Sequence, residues 1–193
     1  TANAQIAHML LGLEGVFGKY APDLVMAVGD VNSTLAAALA ANKLGIRLAH
    51  LEAGLRSFDR SLPEEHNRVI TDQLSDLFFV TEESGKKNLL KEGKPVQAIH
   101  FVGNTMIDTL VAFEPVIKQS TILGDLDLSA GKFVLMTMHR PSNVDSREGL
   151  EKIISLIEHF LVDYKVVFPV HPRTLNRIRE FGLLPQFETD PRR

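Results

Sequence analysis

Short apolar runs alternate with amphipathic or alanine-rich segments along most of the 193-residue chain. Each run is short enough to be a buried strand, and each is followed by a polar turn and then by residues at helical spacing. In chain order the strand candidates are DLVMAVG, IRLAHLE, DLFFVT, AIHFVG, KFVLMTMH and KVVFPVH. Connections this short between strands and helices predict an α/β protein with parallel sheets and right-handed crossovers.

The alternation is interrupted once, where Pro115 and Gly124 lie in a stretch without strand or helix periodicity. We predict an N-terminal Rossmann-like domain over residues 1–114, an interdomain connection over 115–130 and the beginning of a second Rossmann-like domain over 131–193. The chain starts on a helix with no strand before it, so we expect the first domain to be incomplete at its start. The second domain has two clear strands, which leaves either a small decorated domain or a truncated one.

Composition excludes several classes of function. The net charge of −3 predicts no nucleic-acid or anionic-membrane partner. The absence of cysteine excludes disulfides, thiolate catalysis and cysteine-ligated metals, and it is compatible with a reducing cytoplasm. No apolar run approaches the roughly 20 residues of a membrane span, and the start lacks the basic region of a signal peptide. Without G-x-G-x-x-G, Walker, H-E-x-x-H or G-x-S-x-G motifs, dinucleotide redox chemistry, P-loop phosphoryl transfer, zinc proteolysis and serine hydrolysis are disfavoured.

Three carboxylates are the main candidates for chemistry. Asp30 follows the first strand, where it either caps the next helix or points into a ligand crevice; residues 32–34 can supply the cap instead. Glu52 closes the second strand beside a glycine, as a site residue or as a solvated carboxylate. Glu64 and Glu65 open a helix, where acids also suit the helix dipole, and Arg68 lies one turn away and can pair with either glutamate.

Basic residues recur at the strand ends of the second domain. His139 and Arg140 follow one strand, and His171 and Arg173 follow the next. A lone basic pair in a loop is usually solvated, but the repetition favours an anion site. In such a site arginine would donate forked hydrogen bonds, and histidine would carry a charge that depends on pH. His50 is predicted to be a core histidine with satisfied hydrogen bonds rather than a ligand.

Four segments in order, GDVNSTLAAALAA, HLEAGLRSFDRSLPEEHNR, FVGNTMIDTL and MHRPSN, resemble the non-hydrolysing UDP-N-acetylglucosamine 2-epimerases. The resemblance runs from about Asp23 to His171. It implies a glycosyltransferase-B-like fold of two Rossmann-like domains. It also implies interconversion of UDP-GlcNAc and UDP-ManNAc by loss of UDP and the C2 proton, followed by re-addition through a 2-acetamidoglucal. No redox cofactor and no metal are implied, and the family is cytoplasmic and usually dimeric.

By this resemblance the catalytic residues are Asp30, Glu52, Glu64 and His139. The substrate-binding residues are Arg68, Arg140 and His171. Residues 141–142 and 173–174 depart from the bacterial pattern, so the resemblance does not extend to allosteric activation by UDP-GlcNAc. By the resemblance, the family's first strand and the distal half of its second domain are missing, so we expect the isolated chain to be inactive or nearly so. A glycosyltransferase of the same fold and a non-catalytic sugar-nucleotide-binding module remain as alternatives.

Overall fold

Strands and helices alternate through residues 1–188, the part of the chain that the computed structural model describes. The strands are β1 (Leu24–Val28), β2 (Arg47–Leu51), β3 (Leu77–Val80), β4 (Ile99–Phe101), β5 (Phe133–Leu135) and β6 (Lys165–Val167). The helices are α1 (Ala2–Tyr20), α2 (Asn32–Lys43), α3 (Pro63–Leu74), α4 (Glu83–Lys91), α5 (Thr105–Lys118), α6 (Ile122–Asp125), α7 (Pro141–Val144), α8 (Arg147–Leu161), α9 (Pro172–Glu180) and α10 (Leu184–Glu188). The chain divides into two units between Glu114 and Pro115.

The first unit is built on a four-stranded sheet in the order β1-β2-β3-β4, with every neighbouring pair parallel. Parallel strands need covering on both faces, which explains why β2 is buried at three successive positions. Because the strands are parallel, their carboxyl ends share one edge of the sheet. The loops that carry Asp30 and Glu52 leave the sheet at this edge, which we call the carboxyl edge.

Helix α2 packs closely against its neighbours because its buried side is made of small residues. Ala36, Ala38, Ala40 and Ala41 are buried, and α2 contacts α1, α3 and β1. Larger side chains lie at β3, where Phe78 is buried in a cluster with Val80 and with Leu89 of α4. The small alanine side chains therefore allow α2 to approach α1, α3 and β1 closely.

The second unit has a two-stranded parallel sheet, β5-β6, covered by α8. The buried side of α8 follows helical spacing and consists of Leu150, Ile153, Ile154, Ile157 and Leu161. The hydroxyl of Thr174 on α9 donates to the carbonyl of Met138 at 2.7 Å and so fixes α9 beside the loop after β5.

Three local predictions differ from the structure. Pro115 lies inside α5 rather than ending it; a proline there costs the helix one N–H hydrogen bond without stopping the backbone path. Residues 32–34 do not cap α2, whose N-cap is Val31 without a side-chain hydrogen bond. The Thr34 hydroxyl instead donates to the carbonyl of Val28 at 2.6 Å. Residues 140–146 (RPSNVDS), which the sequence predicts to be a loop, contain the short helix α7.

Within residues 1–188, no helix is long and apolar enough to cross a membrane.

Candidate functional site

The turn after β2 brings Glu52 to the end of β1. Glu52 has a positive φ of 71°, which is rare for a residue with a side chain, and its N–H donates to the carbonyl of Phe79 at 3.1 Å. A Cβ placed on Gly29 would lie 3.7 Å from Glu52 Oε2. The carboxylate of Glu52 is therefore next to the residue that precedes Asp30, and two of the predicted site residues share the carboxyl edge.

Helix α3 contacts Asp30 through two side chains. Arg68 donates from Nη2 to the Asp30 carboxylate, and the amide of Asn67 donates to the Asp30 carbonyl at 2.9 Å. Arg68 also lies 3.3 Å from a carboxylate oxygen of Glu65. The predicted ion pair of Arg68 with its own helix is thus confirmed for Glu65, and the contact with Asp30 is an addition that local spacing could not predict.

The two adjacent glutamates of α3 have different surroundings. Glu65 is buried and accepts from the Ser57 N–H and hydroxyl at 2.9 Å each and from the Phe58 N–H at 3.0 Å. Burial opposes the charge of Glu65, but the Ser57 and Phe58 hydrogen bonds and Arg68 outweigh it, so the pKa of Glu65 is lowered. Glu64 is exposed, and its side chain has no hydrogen bond or ion pair with any described residue. Glu65 therefore fixes the loop at Ser57 and Phe58, whereas the Glu64 side chain has no polar partner among the described residues.

A buried polar network below the carboxyl edge was not predicted. His50 and Asp72 are fully buried and lie 2.6 Å apart, from Nδ1 to Oδ1. The second Asp72 oxygen accepts from the Gly54 N–H at 3.0 Å and from Arg56 at 2.7 Å. Arg56 also makes two hydrogen bonds to Glu92, at 2.8 and 2.7 Å.

Charge balance stabilises that network. Burial opposes the charge of Arg56, but Glu92 and Asp72 outweigh it, so the pKa of the Arg56 guanidinium is raised. The prediction that His50 is a satisfied core histidine is confirmed, because its other nitrogen lies 2.8 Å from the Gly29 carbonyl. The sequence does carry one signal for Asp72 and Arg56. Both lie in segments that must pack against a buried sheet, and an ionisable side chain that is buried there needs a polar partner.

Close backbone contact holds the turn after β2 against α4. A Cβ on Gly54 would lie 2.3 Å from the Gly85 carbonyl oxygen, and Gly54 has a φ of +77°. A Cβ on Gly85 would meet the Ala53 carbonyl oxygen at 2.7 Å. The amide of Asn88 donates to the Gly54 carbonyl at 2.9 Å. The glycine beside Glu52 is therefore required both by the backbone conformation and by the space available.

In the second unit the structure brings together two of the predicted residues. The rings of His139 and His171 are stacked, with centroids 5.4 Å apart. His171 caps α9, because its Nδ1 accepts the Arg173 N–H at 3.1 Å. Arg140 is exposed beside His139 at the start of α7. The paired histidines lie where β5 and β6 lead into their helices, so they share the carboxyl side of that sheet.

Arg173 is not part of this histidine pair. Its guanidinium donates to both oxygens of Asp145, at 3.0 and 2.5 Å, and these hydrogen bonds lower the pKa of Asp145. Arg177 adds a further hydrogen bond to Asp145 at 3.3 Å. Arg173 therefore links α9 to the loop before α8, and the basic candidates left at this edge are His139, Arg140 and His171.

Comparisons with known proteins agree on one family. The family profile described as UDP-N-acetylglucosamine 2-epimerase matches residues 1–189. A Methanococcus maripaludis protein named UDP-N-acetylglucosamine 2-epimerase is 40% identical over 96% of this chain, which covers 52% of that protein. A Methanocaldococcus jannaschii protein of the same name is 40% identical over 98% of this chain and 53% of its own length.

Solved structures give the same result. The crystal structure of the Methanocaldococcus jannaschii UDP-GlcNAc 2-epimerase in complex with UDP-GlcNAc and UDP has a TM-score of 0.87 and 39% identity. It covers 100% of this chain and 54% of its own chain. The Neisseria meningitidis enzyme bound to UDP-GlcNAc has a TM-score of 0.81 and 31% identity, over 93% of this chain and 52% of its own.

These similarities confirm the predicted glycosyltransferase-B-like fold class. The chain spans about half the length of the curated relatives that it matches. The order of its motifs, its parallel sheets and the profile match together show that the chain belongs to the UDP-N-acetylglucosamine 2-epimerase family.

Proposed function

We propose that the protein to which this chain belongs interconverts UDP-GlcNAc and UDP-ManNAc. The observation that carries the proposal is the presence of two glutamates whose side chains have no polar partner among residues 1–188. They are Glu52, beside Gly29, and Glu64, one helical turn before the Arg68 that binds Asp30. Inversion at C2 requires a proton to leave one face of the sugar and to return on the other. Two carboxylates with no hydrogen-bond partner among residues 1–188 are suited to that exchange.

The proposed reaction is balanced without an oxidant or reductant. One carboxylate takes the C2 proton, the C–H electron pair forms the C1–C2 double bond, and the C1–O bond breaks as UDP leaves. A proton is then delivered to the opposite face of C2, and the UDP oxygen adds to C1. We assign the two proton transfers to Glu52 and Glu64, one on each face.

Asp30 has a different role in this proposal. Its carboxylate accepts from Arg68 and its carbonyl accepts from Asn67, so its position is fixed by α3. A carboxylate already bound to a guanidinium is less available to move a proton than one without a partner. We therefore propose that Asp30 and Arg68 form a fixed polar wall that orients the sugar hydroxyl or acetamido groups.

In the second unit we propose that His139, Arg140 and His171 stabilise the leaving diphosphate of UDP. The support is the stacked histidine pair with an exposed arginine beside it. Negative charge grows on the leaving group as the C1–O bond breaks, and cationic or N–H donors lower the energy of that state. The ligands of this unit would then be UDP and UDP-GlcNAc.

A second substrate is favoured by one comparison. A Pseudomonas aeruginosa relative named UDP-2,3-diacetamido-2,3-dideoxy-D-glucuronate 2-epimerase is 39% identical over 95% of this chain and 51% of its own length. This identity is close to the 40% of the UDP-N-acetylglucosamine 2-epimerases. Its name describes the same inversion at C2 of a UDP-linked acetamido sugar. The two substrates differ at C3 and C6, so the carboxylates that we assign to C2 would serve either one.

The test offers both UDP-sugars separately to the full-length protein, without any acceptor, and follows the products by nuclear magnetic resonance. We expect UDP-ManNAc from UDP-GlcNAc, with higher kcat/KM than for the diacetamido uronate. Conversion of the uronate alone would change the assigned substrate but keep the C2 epimerisation. Turnover that depends on an added acceptor would contradict the proposal and support a glycosyltransferase.

A further inference from the structure

Both ring nitrogens of His50 face hydrogen-bond acceptors. Nε2 lies 2.8 Å from the Gly29 carbonyl, which can only accept. Nδ1 lies 2.6 Å from an Asp72 oxygen. A neutral imidazole has one donor and one acceptor nitrogen, so beside an ionised Asp72 it would leave one of these two contacts without a proton.

The proton shared by His50 and Asp72 belongs to the histidine. The other Asp72 oxygen accepts from the Gly54 N–H and from the Arg56 guanidinium, and both donors favour the ionised carboxylate. With His50 charged, the three buried residues His50, Asp72 and Arg56 form, together with the more exposed Glu92, a set that is neutral as a whole. Each member then has an oppositely charged partner, which buried charges require.

This cation connects the two strand ends that carry the proposed site. Its Nε2–H holds the carbonyl of Gly29, whose next residue is Asp30. Its Nδ1–H holds Asp72, which in turn fixes the N–H of Gly54, two residues after Glu52. We infer that His50 is a positioning residue, present as an imidazolium, that fixes Asp30 and Glu52 relative to each other. Its role in turnover rests on the proposed function.

The charge state is tested without substrate, by the nitrogen-15 spectrum of the imidazole rings in the full-length protein. We expect two protonated ring nitrogens for His50 at neutral pH, assigned by their loss in His50→Gln. Asp72→Asn is the matched control. Its amide can donate to Nδ1 and its oxygen can still accept from Arg56 and Gly54, so every contact is kept with a neutral ring. We expect one protonated nitrogen in that variant. A single protonated nitrogen in the unaltered protein would overturn the inference.

The positioning role is tested with two amide substitutions of His50. Glutamine places its amide nitrogen near the position of Nε2 and keeps the bond to Gly29, whereas asparagine reaches only Asp72. We expect His50→Asn to lower kcat by about 10–100-fold, since small misplacements of reacting groups have effects of this size. His50→Gln should retain at least about ten times the kcat of His50→Asn, and KM should change by less than about threefold in both.

Equal kcat values in the two variants, at equal folded fractions, would overturn the positioning role, because loss of stability alone does not distinguish them. If the unaltered protein does not epimerise either UDP-sugar, the proposed function fails, and the role of His50 in turnover fails with it. The nitrogen spectrum still decides the charge of His50 in that case. The two failures are therefore distinguishable.

Discussion

Glu52 and Gly54 occupy one turn at positive φ for different reasons. Glu52 has a φ of 71°, a conformation that costs a non-glycine residue about 1–2 kcal/mol. The carbonyl of Phe79 accepts both the Glu52 and Ala53 N–H groups, at 3.1 and 3.2 Å, and so holds the strained turn in place. Strain of this kind is concentrated at functional positions. The strained φ of Glu52 directs its carboxylate toward Gly29, which explains why the turn retains this conformation.

Replacing Gly54 with alanine should destabilise the first unit by at least about 3 kcal/mol, because the new Cβ would overlap the Gly85 carbonyl in addition to the strained φ. Gly93→Ala is the control. Gly93 has a φ of +80° but no atom within 4 Å of its Cβ position, so we expect a cost of about 1–2 kcal/mol. Urea unfolding measures both. Equal losses of unfolding free energy in Gly54→Ala and Gly93→Ala would show that the close contact with Gly85 adds nothing to the cost.

Glu65 should make stability depend on pH in the acid range. Its folded pKa is lowered from the ordinary 4.5, so its stabilising effect is present above that value and is lost as the pH falls through the folded pKa. Glu65→Gln should lose about 2 kcal/mol at neutral pH, and the difference from the unaltered protein should shrink below pH 4.5. Urea unfolding across pH measures the effect.

The neighbouring Glu64 gives the matched control. It is exposed and has no polar partner among the described residues, so Glu64→Gln should leave unfolding unchanged at every pH. A pH-independent cost for Glu65→Gln, or an equal cost for Glu64→Gln, would contradict the assignment of the loop contacts to Glu65.

The sequence predicts candidate site residues but not the contacts that they make. Asp30, Glu52 and Glu64 follow from strand ends, a helix start and the family resemblance. The contact of Arg68 with Asp30 joins residues 38 positions apart, and no local pattern reports such a pair. For the same reason, the contacts among His50, Asp72 and Arg56 could not be predicted before the fold was known.

Helix α3 shows why elements with polar buried faces are difficult to orient from sequence. Its buried residues are Glu65, Asn67, Thr71 and Asp72. Hydrophobic periodicity normally identifies the inward face, but here the inward face carries the polar contacts of the site. Strands were easier to predict, since fully buried strands are continuous apolar runs. Helix α2 was located correctly, although its cap was not.

Arg56 joins three elements and should be sensitive to loss of its planar shape. Its guanidinium contacts Asp72 of α3, Glu92 at the end of α4 and the Leu55 carbonyl, with a side chain only 2% exposed. Lysine keeps the charge but cannot make the paired hydrogen bonds, so Arg56→Lys should cost about 2–3 kcal/mol in urea unfolding.

The exposed pair of Lys152 and Glu148 is the contrasting case, with both side chains at least 75% exposed. Lys152→Gln should leave the free energy of unfolding within experimental error, because solvent screens such pairs. A similar loss for both variants would mean that burial of the Arg56 network adds nothing to its contribution.

At the scale of the whole molecule, residues 1–188 form one parallel sheet of four strands and one of two strands. Two strands with few covering helices provide a small core. The relatives solved with UDP-GlcNAc bound are about twice as long, since this chain covers 52–54% of them. We expect the 193 residues alone to form no UDP-ManNAc under conditions where the full-length protein does. Turnover by the chain alone would contradict this expectation.

The most direct test of the carboxylate assignment is deuterium incorporation at C2 when the full-length protein turns over UDP-GlcNAc in deuterated water. We expect UDP-ManNAc with deuterium at C2, and a fall of about 100-fold or more in its rate for Glu52→Gln and for Glu64→Gln. The exposed Glu148→Gln should stay within about twofold of the unaltered protein. Product that retains its original C2 hydrogen, or glutamine variants that exchange at the unaltered rate, would contradict the account.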